Sequence, residues 1–139
     1  MSFDLVVFDP TKVPADRKGF LAWWQEASKW DDEGHDYNDP QLTTAPLRAW
    51  FMDMISGFPP MNGPHAKSEL PDDEASATDY TIGKAVIFAA FAWSKGEQAA
   101  EAVAQLAERH GLGVFNASSP DGQVYLPGPD GELQLAHSG

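Results

Sequence analysis

With 139 residues, 42% hydrophobic and 12% aromatic, the chain is long enough for one domain with a real core, which excludes global disorder. It carries 21 Asp and Glu against 9 Lys and Arg, a formal net charge of -12, so nucleic acid and anionic membrane are poor partners and cationic surfaces good ones. There is no cysteine, which excludes disulfides, thiolate nucleophiles and zinc–thiolate sites.

Residues 3–9 read as a strand. Phe3, Leu5 and Val7 share one face, and Val6 and Phe8 the other. A strand apolar on both faces belongs inside a sheet rather than at its edge. Pro10 and Pro14 end it. The spacing then predicts a helix over 15–29, with Phe20, Trp23, Trp24 and Ala27 as its buried stripe and Asp16 in its first turn, at the positive end of the helix dipole. An acidic loop, Asp31-Asp32-Glu33-Gly34-His35-Asp36-Tyr37-Asn38-Asp39, leads to Pro40.

Thr44-Ala45-Pro46 has the form of a helix start, Thr44 at the N-cap and Pro just inside. The helix runs to Ser56 with Leu47, Trp50, Phe51, Met54 and Ile55 on its apolar face, and Gly57 stops it. Phe58-Pro-Pro-Met-Asn-Gly-Pro64 cannot continue a helix and reads as a stiff connector. Residues 65–77 are polar and acidic, with a second concentration of charge from Glu69 to Glu74.

Residues 79–82 and 85–93 read as strands joined by a tight turn at Gly83-Lys84. In the second, Val86, Phe88, Ala90 and Ala92 alternate with Ile87, Ala89, Phe91 and Trp93, again apolar on both sides. Ser94-Lys95-Gly96-Glu97 matches a capping box for a helix with Ala99, Val103, Leu106, Ala107 and His110 inward and Gly111 past its end. Short strands over 114–117 and 123–126 follow. Residues 1–126 thus form a single α+β domain, and 127–139 a turn-rich C-terminal tail expected to fray.

The element order β, α, α, β, β, α, β, β contains that of a ferredoxin-like βαββαβ domain. The expected fold is a ferredoxin-like α+β two-layer sandwich with an extra helix and a C-terminal strand. Its helices are expected on one sheet face, the other being covered by Trp and Phe side chains or by a loop.

Chemistry-bearing motifs are absent. The acidic loop fails the EF-hand pattern, because position 5 counted from Asp31 is His35 and position 3 counted from Asp32 is Gly34. The four histidines have no ligand spacing, so no metal is expected, and His110 suits the dipole at a helix end. No nucleophile elbow, phosphate-cradling loop or dinucleotide fingerprint occurs, so no cofactor and no catalytic residue is assigned. The nine basic residues form no stripe that follows a phosphate backbone. No apolar run reaches the roughly 18 residues of a membrane span. The N-terminus lacks the basic start and apolar stretch of a signal peptide, and a cytoplasmic location is expected.

What remains is a binding surface. Trp30, Asp31, Asp32, Glu33, His35, Asp36, Tyr37 and Asp39 combine carboxylates with aromatics, the composition of an interface hot spot for a cationic protein. The plainer reading of the same loop is a solvated connection. Met61 and Asn62, on the proline-rich segment, are the other candidate contacts, although a stiff connector is the favoured reading of that segment, since such composition is common in turns.

The start Met-Ser-Phe-Asp-Leu-Val-Val-Phe, the run Leu47-Arg48-Ala49-Trp50-Phe51 before Phe58-Pro-Pro-Met-Asn-Gly-Pro64, and Asp79-Tyr80-x-Ile82-Gly83 before Phe88-Ala-Ala-Phe-Ala-Trp93 resemble a family of small, acidic, mostly uncharacterised bacterial proteins. The resemblance carries no catalytic residues. It implies an association with immunity proteins that neutralise secreted toxins, type VI or contact-dependent effectors among them. The expected function is therefore an immunity or inhibitor protein that is not an enzyme and is a monomer or homodimer. The alternatives are a small-ligand binder or small enzyme using an open sheet face, and a self-associating structural protein.

Overall fold

The computed structural model describes residues 2–61, 63–66 and 76–138. Asn62 and most of the acidic 65–77 stretch, including Glu69 to Glu74, lie outside the described residues.

The elements are β1 (Ser2–Phe8), α1 (Arg17–Ala27), α2 (Ala45–Met54), β2 (Asp79–Ile82), β3 (Val86–Ala92), α3 (Gly96–His110), β4 (Gly113–Asn116), β5 (Val124–Pro127) and β6 (Leu133–His137). The sheet runs β2-β3-β1-β4-β5-β6, every pair antiparallel. Its first four strands have the ferredoxin-like order, built from β1, α2, β2, β3, α3 and β4. The fold is an α+β sandwich. β1 and β3 lie in the interior of the sheet, as their two apolar faces require.

The alternation of β1 and β3 divides the core in two. Leu5, Val7, Ile87, Ala89 and Phe91 pack with Leu47, Trp50, Phe51 and Met54 of α2 and with Ala99, Val103 and Ala107 of α3. Val6, Phe8, Val86 and Phe88 face the other way, onto Phe20, Trp23, Trp24 and Ala27 of α1. The helices are therefore not all on one face. The amphipathic stripe of α1 requires burial but does not choose a side, and α2 and α3 already fill the first. The second face is covered by tryptophan and phenylalanine as expected, and α1 carries most of them.

Local signals shift several boundaries. Asp16 is the N-cap of α1 rather than a first-turn residue, its carboxylate accepting from the Gly19 amide at 2.7 Å. The helix accordingly starts two residues later than the spacing predicts and ends at Ala27. Thr44 occupies the N-cap of α2, but its hydroxyl does not cap, and α2 ends at Met54 with no left-handed glycine at Gly57. Prolines 59 and 60 forbid continuation there. The β2–β3 turn is centred on Lys84-Ala85 rather than Gly83-Lys84, because the Gly83 amide pairs with the Val86 carbonyl at 2.7 Å. The capping box at Ser94 does not form. A 3-10 turn, Trp93–Lys95, runs straight from β3 and puts Lys95 at the N-cap, where its side chain does not cap the helix. Gly111 does end α3 in the left-handed conformation (φ 68°), and Leu112 N–H closes onto the Ala107 carbonyl.

The C-terminal stretch, expected as a turn-rich tail, contains a sixth strand. Leu133–His137 pairs with β5, and the Leu133 amide also donates to the Glu108 carboxylate of α3 at 2.9 Å. Turn-rich composition hid this strand, since its pairing depends on residues far away in sequence.

Gly113 illustrates how tightly the second face is filled. A Cβ there would come within 2.3 Å of the Phe8 ring, which is itself buried under α1. Gly113→Ala is expected to destabilise by about 1–3 kcal/mol through overpacking, read as a lower urea midpoint with an unchanged slope.

Arg17 and His137 tie α1 to the end of the sheet. Arg17 donates to the Gly122 and Asp121 carbonyls and faces His137 Nδ1 at 3.3 Å. That contact puts the imidazole proton on Nε2, in the space against Phe20. Burial, then the Arg17 charge, push the His137 pKa down, with Asp16 opposing weakly. The fold thus favours the neutral ring. Its contribution is fully present above the ordinary histidine value of about 6.5 and is lost as pH falls through the lowered one. Thermal stability is expected to decline as pH falls below about 6.5, and His137→Gln is expected to flatten part of that slope. An identical pH profile in the variant would refute this.

Candidate functional site

The chain leaves α1 through Trp30, the one described non-glycine residue in the left-handed region, at φ 49°. A bulky side chain there costs backbone strain, of order 1–3 kcal/mol. Packing offsets it. The Trp30 ring meets Trp24, Phe88 and Tyr37 edge to face, at centroid distances of 6.2, 6.3 and 5.6 Å. Gly83 lies beside it: a Cβ there would crowd Val86 Cγ1 at 2.9 Å and touch Trp30 Cζ3 at 3.4 Å.

The acidic loop that follows is not merely solvated. It is strapped along the free edge of β2. The Ile82 amide donates to the Tyr37 carbonyl at 2.7 Å, and His35 Nε2 donates to the Ile82 carbonyl at 2.7 Å. The Asp32 amide donates to the Tyr37 hydroxyl at 3.0 Å. Such cover protects an edge strand from unwanted pairing. The far end of the loop is clasped by Arg48 of α2, which donates to the carbonyls of Pro40, Gln41 and Thr43.

The carboxylates divide into two groups. Asp32 accepts from the Gly34 amide and pairs with Lys84 at 3.2 Å. The Lys84 ammonium, helped by Gly34, holds the Asp32 carboxyl below the usual range. Asp36 accepts from the Asn38 amide, and Asp39 from the Gln41 amide, capping the short turn Pro40–Leu42. These three shape the loop. Asp31 and Glu33 are exposed, and neither carboxylate bonds another of the described residues. They are the free charges of the surface.

Around Trp30 the loop encloses a hollow of about 240 Å³. Trp23, Trp30, Tyr37, Gly83 and Val86 line it, together with the charged Glu26, Asp31, Asp32 and Lys84. A shallower recess of about 360 Å³ shares Trp30, Asp31, Asp32, His35 and Tyr37 and adds Glu33. The structure therefore brings Trp30, Asp31, Asp32, Glu33, His35 and Tyr37 together, with Asp36 and Asp39 further along the same strap. Trp23, Glu26, Gly83 and Lys84 escaped the sequence reading. An isolated glycine before a lone lysine, between two apolar strands, was the available signal for the last two.

The proline-rich segment is tied to the start of β2. Pro59 and Met61 exchange backbone bonds with Thr78, and the Tyr80 hydroxyl donates to the Phe58 carbonyl at 2.7 Å. Met61 is nonetheless 55% exposed. Gly63 (φ 91°) packs against Asn38 so closely that a Cβ would lie 2.9 Å from its carbonyl oxygen. The segment thus abuts the acidic strap.

The open sheet face expected of a small-ligand site is closed by α1. On the α3 side, beyond that helix, a groove of about 380 Å³ remains between α3 and the C-terminal strands, lined by Phe3, Leu5, Val114, Tyr125 and Leu133. Away from both, Asp53 of α2 binds His110 of α3 at 2.7 Å, with Arg109 at 3.6 Å. The His110 hydrogen bond holds the Asp53 carboxyl low against partial burial. This is a helix–helix tie, which gives His110 a structural role. Among the described residues, no three His, Asp or Glu side chains gather as a metal site, and no helix is long and apolar enough to cross a membrane.

The fold and this surface define a class, an α+β sandwich bearing an acidic strap over an aromatic hollow. No family model, curated protein or solved structure matches the chain.

Proposed function

We propose that the protein is an immunity or inhibitor protein that binds and neutralises a cationic secreted toxin. The observation that carries this reading is the ordered acidic strap. Asp31 and Glu33 are held outward by a loop fixed to β2, so their charge is presented without first having to order a mobile segment. The overall charge of -12 speeds encounter with a positive surface, and aromatic anchors beside the carboxylates supply contact area after docking. Neutralisation is occlusion, the strap covering the basic surface the toxin needs. This reading places the protein in the cytoplasm beside its target, as a binding partner rather than a catalyst.

The test is co-purification with the product of an adjacent gene, followed by a toxicity assay in cells with and without this protein. Association that fails at low ionic strength, or toxicity undiminished by co-expression, would refute the reading. A second reading rests on the groove beside α3, where a small apolar ligand would fit. A ligand carried through purification and lost on Leu133→Glu would favour it.

A further inference from the structure

The hollow at Trp30 has a chemistry that the acidic strap alone lacks. The Trp30 and Tyr37 rings meet edge to face at 78°, which makes a corner in the lining of the hollow, and Trp23 lines it too. Aromatic faces attract cations through the ring quadrupole, most strongly when water is excluded. Glu26, Asp31 and Asp32 line this corner with Lys84, and Lys29 pairs with Glu26 at 3.1 Å, so three carboxylates meet two ammoniums there. An anion is repelled there, and a purely apolar group would desolvate carboxylates without return. Size narrows the choice further. At about 240 Å³ the hollow is smaller than the roughly 300–1,000 Å³ of pockets for drug-sized molecules, and it suits one side chain.

Resting on the cationic-partner reading, we infer that this hollow seats a single arginine side chain of the partner, its guanidinium against the Trp30–Tyr37 corner and between Asp31 and Asp32. Arginine fits better than lysine because its planar group stacks on rings and meets a carboxylate in two parallel bonds. Lys84 occupies part of this role in the free protein. Its ammonium lies 3.2 Å from Asp32 and its side chain is 75% exposed, so it swings into water at little cost when a better cation arrives. Lys84 is thus a built-in competitor, which keeps Asp32 neutralised until the partner docks.

The experiment titrates the full chain with Nα-acetyl-arginine methylamide, and with its norleucine counterpart as control, following the five tryptophan indole N–H signals by NMR. Saturable shifts are expected at Trp23 and Trp30 with the arginine probe alone. Trp50, buried between α2 and α3, stays still. Lys84→Met, at an exposed position, is expected to tighten binding about two- to fivefold by freeing Asp32, and Asp31→Asn to weaken it by a similar factor. The inference is overturned if the norleucine probe shifts the same signals, or if both variants fold normally and leave the affinity unchanged. Should the arginine probe fail while a cationic protein still binds with salt-dependent kinetics, the hollow is not the seat and the inhibitor reading stands. Arginine binding without any cationic protein partner would retain the hollow and sink the inhibitor reading instead.

Discussion

Trp50→Ala is expected to lower the unfolding free energy by about 3–5 kcal/mol, the usual cost of removing a fully buried aromatic ring. Trp50 is 0% exposed. It stands on α2, its Nε1–H directed at the Val103 carbonyl of α3 at 3.4 Å, its ring edge-on to Tyr80 of β2 at 6.3 Å. One side chain therefore joins both helices of the first core to the sheet. A domain of this length has roughly 7–20 kcal/mol in all, at about 0.05–0.15 kcal/mol per residue, so the loss is a large share. Trp50→Phe separates the causes. The hydrogen bond is long and the ring volume dominates, so phenylalanine is expected to recover more than half of the loss in urea titrations. Equal destabilisation by both variants would show that the polar contact, not packing, is decisive.

The double substitution Asp31→Lys with Glu33→Lys is expected to slow association with a cationic partner about 10- to 100-fold at low salt, with little change in dissociation. Both carboxylates are exposed and bond none of the described residues, so the fold should be untouched. Reversal at Asp32, Asp36 or Asp39 would mix two effects, because each of those carboxylates holds a loop amide. The difference from wild type should shrink as salt rises and nearly vanish at about 1 M, where charges are screened beyond about 3 Å. On-rates measured across ionic strength check this, and a deficit that persists at high salt would mean that the strap contributes contacts rather than steering.

Part of the site was legible in advance. Trp30, Tyr37 and the run of acids could be singled out because such residues are rarely adjacent without reason. Their arrangement could not be. The loop resembles a solvated connection until the Ile82 bonds to Tyr37 and His35 are seen, and these span more than forty residues of sequence. Lys84 was one of nine scattered cations until the β2–β3 turn placed it against Asp32. Trp23 read as core stripe, which it is on one side, while its other side walls the hollow.

The same boundary runs through the fold. Alternation along β1 and β3 determined by itself that both strands are interior and which side chains share a face, because the period of a strand is two wherever it lies. Gly111 determined the end of α3 for an equally local reason, the left-handed φ that only glycine adopts freely. The side of the sheet that α1 covers, the strand at Leu133–His137 and the closing of the hollow were decided only in the tertiary structure. Each depends on which surface was left unfilled by elements distant in the chain, and a hydrophobic stripe or a turn-rich stretch states a need for burial or pairing without naming what will meet it.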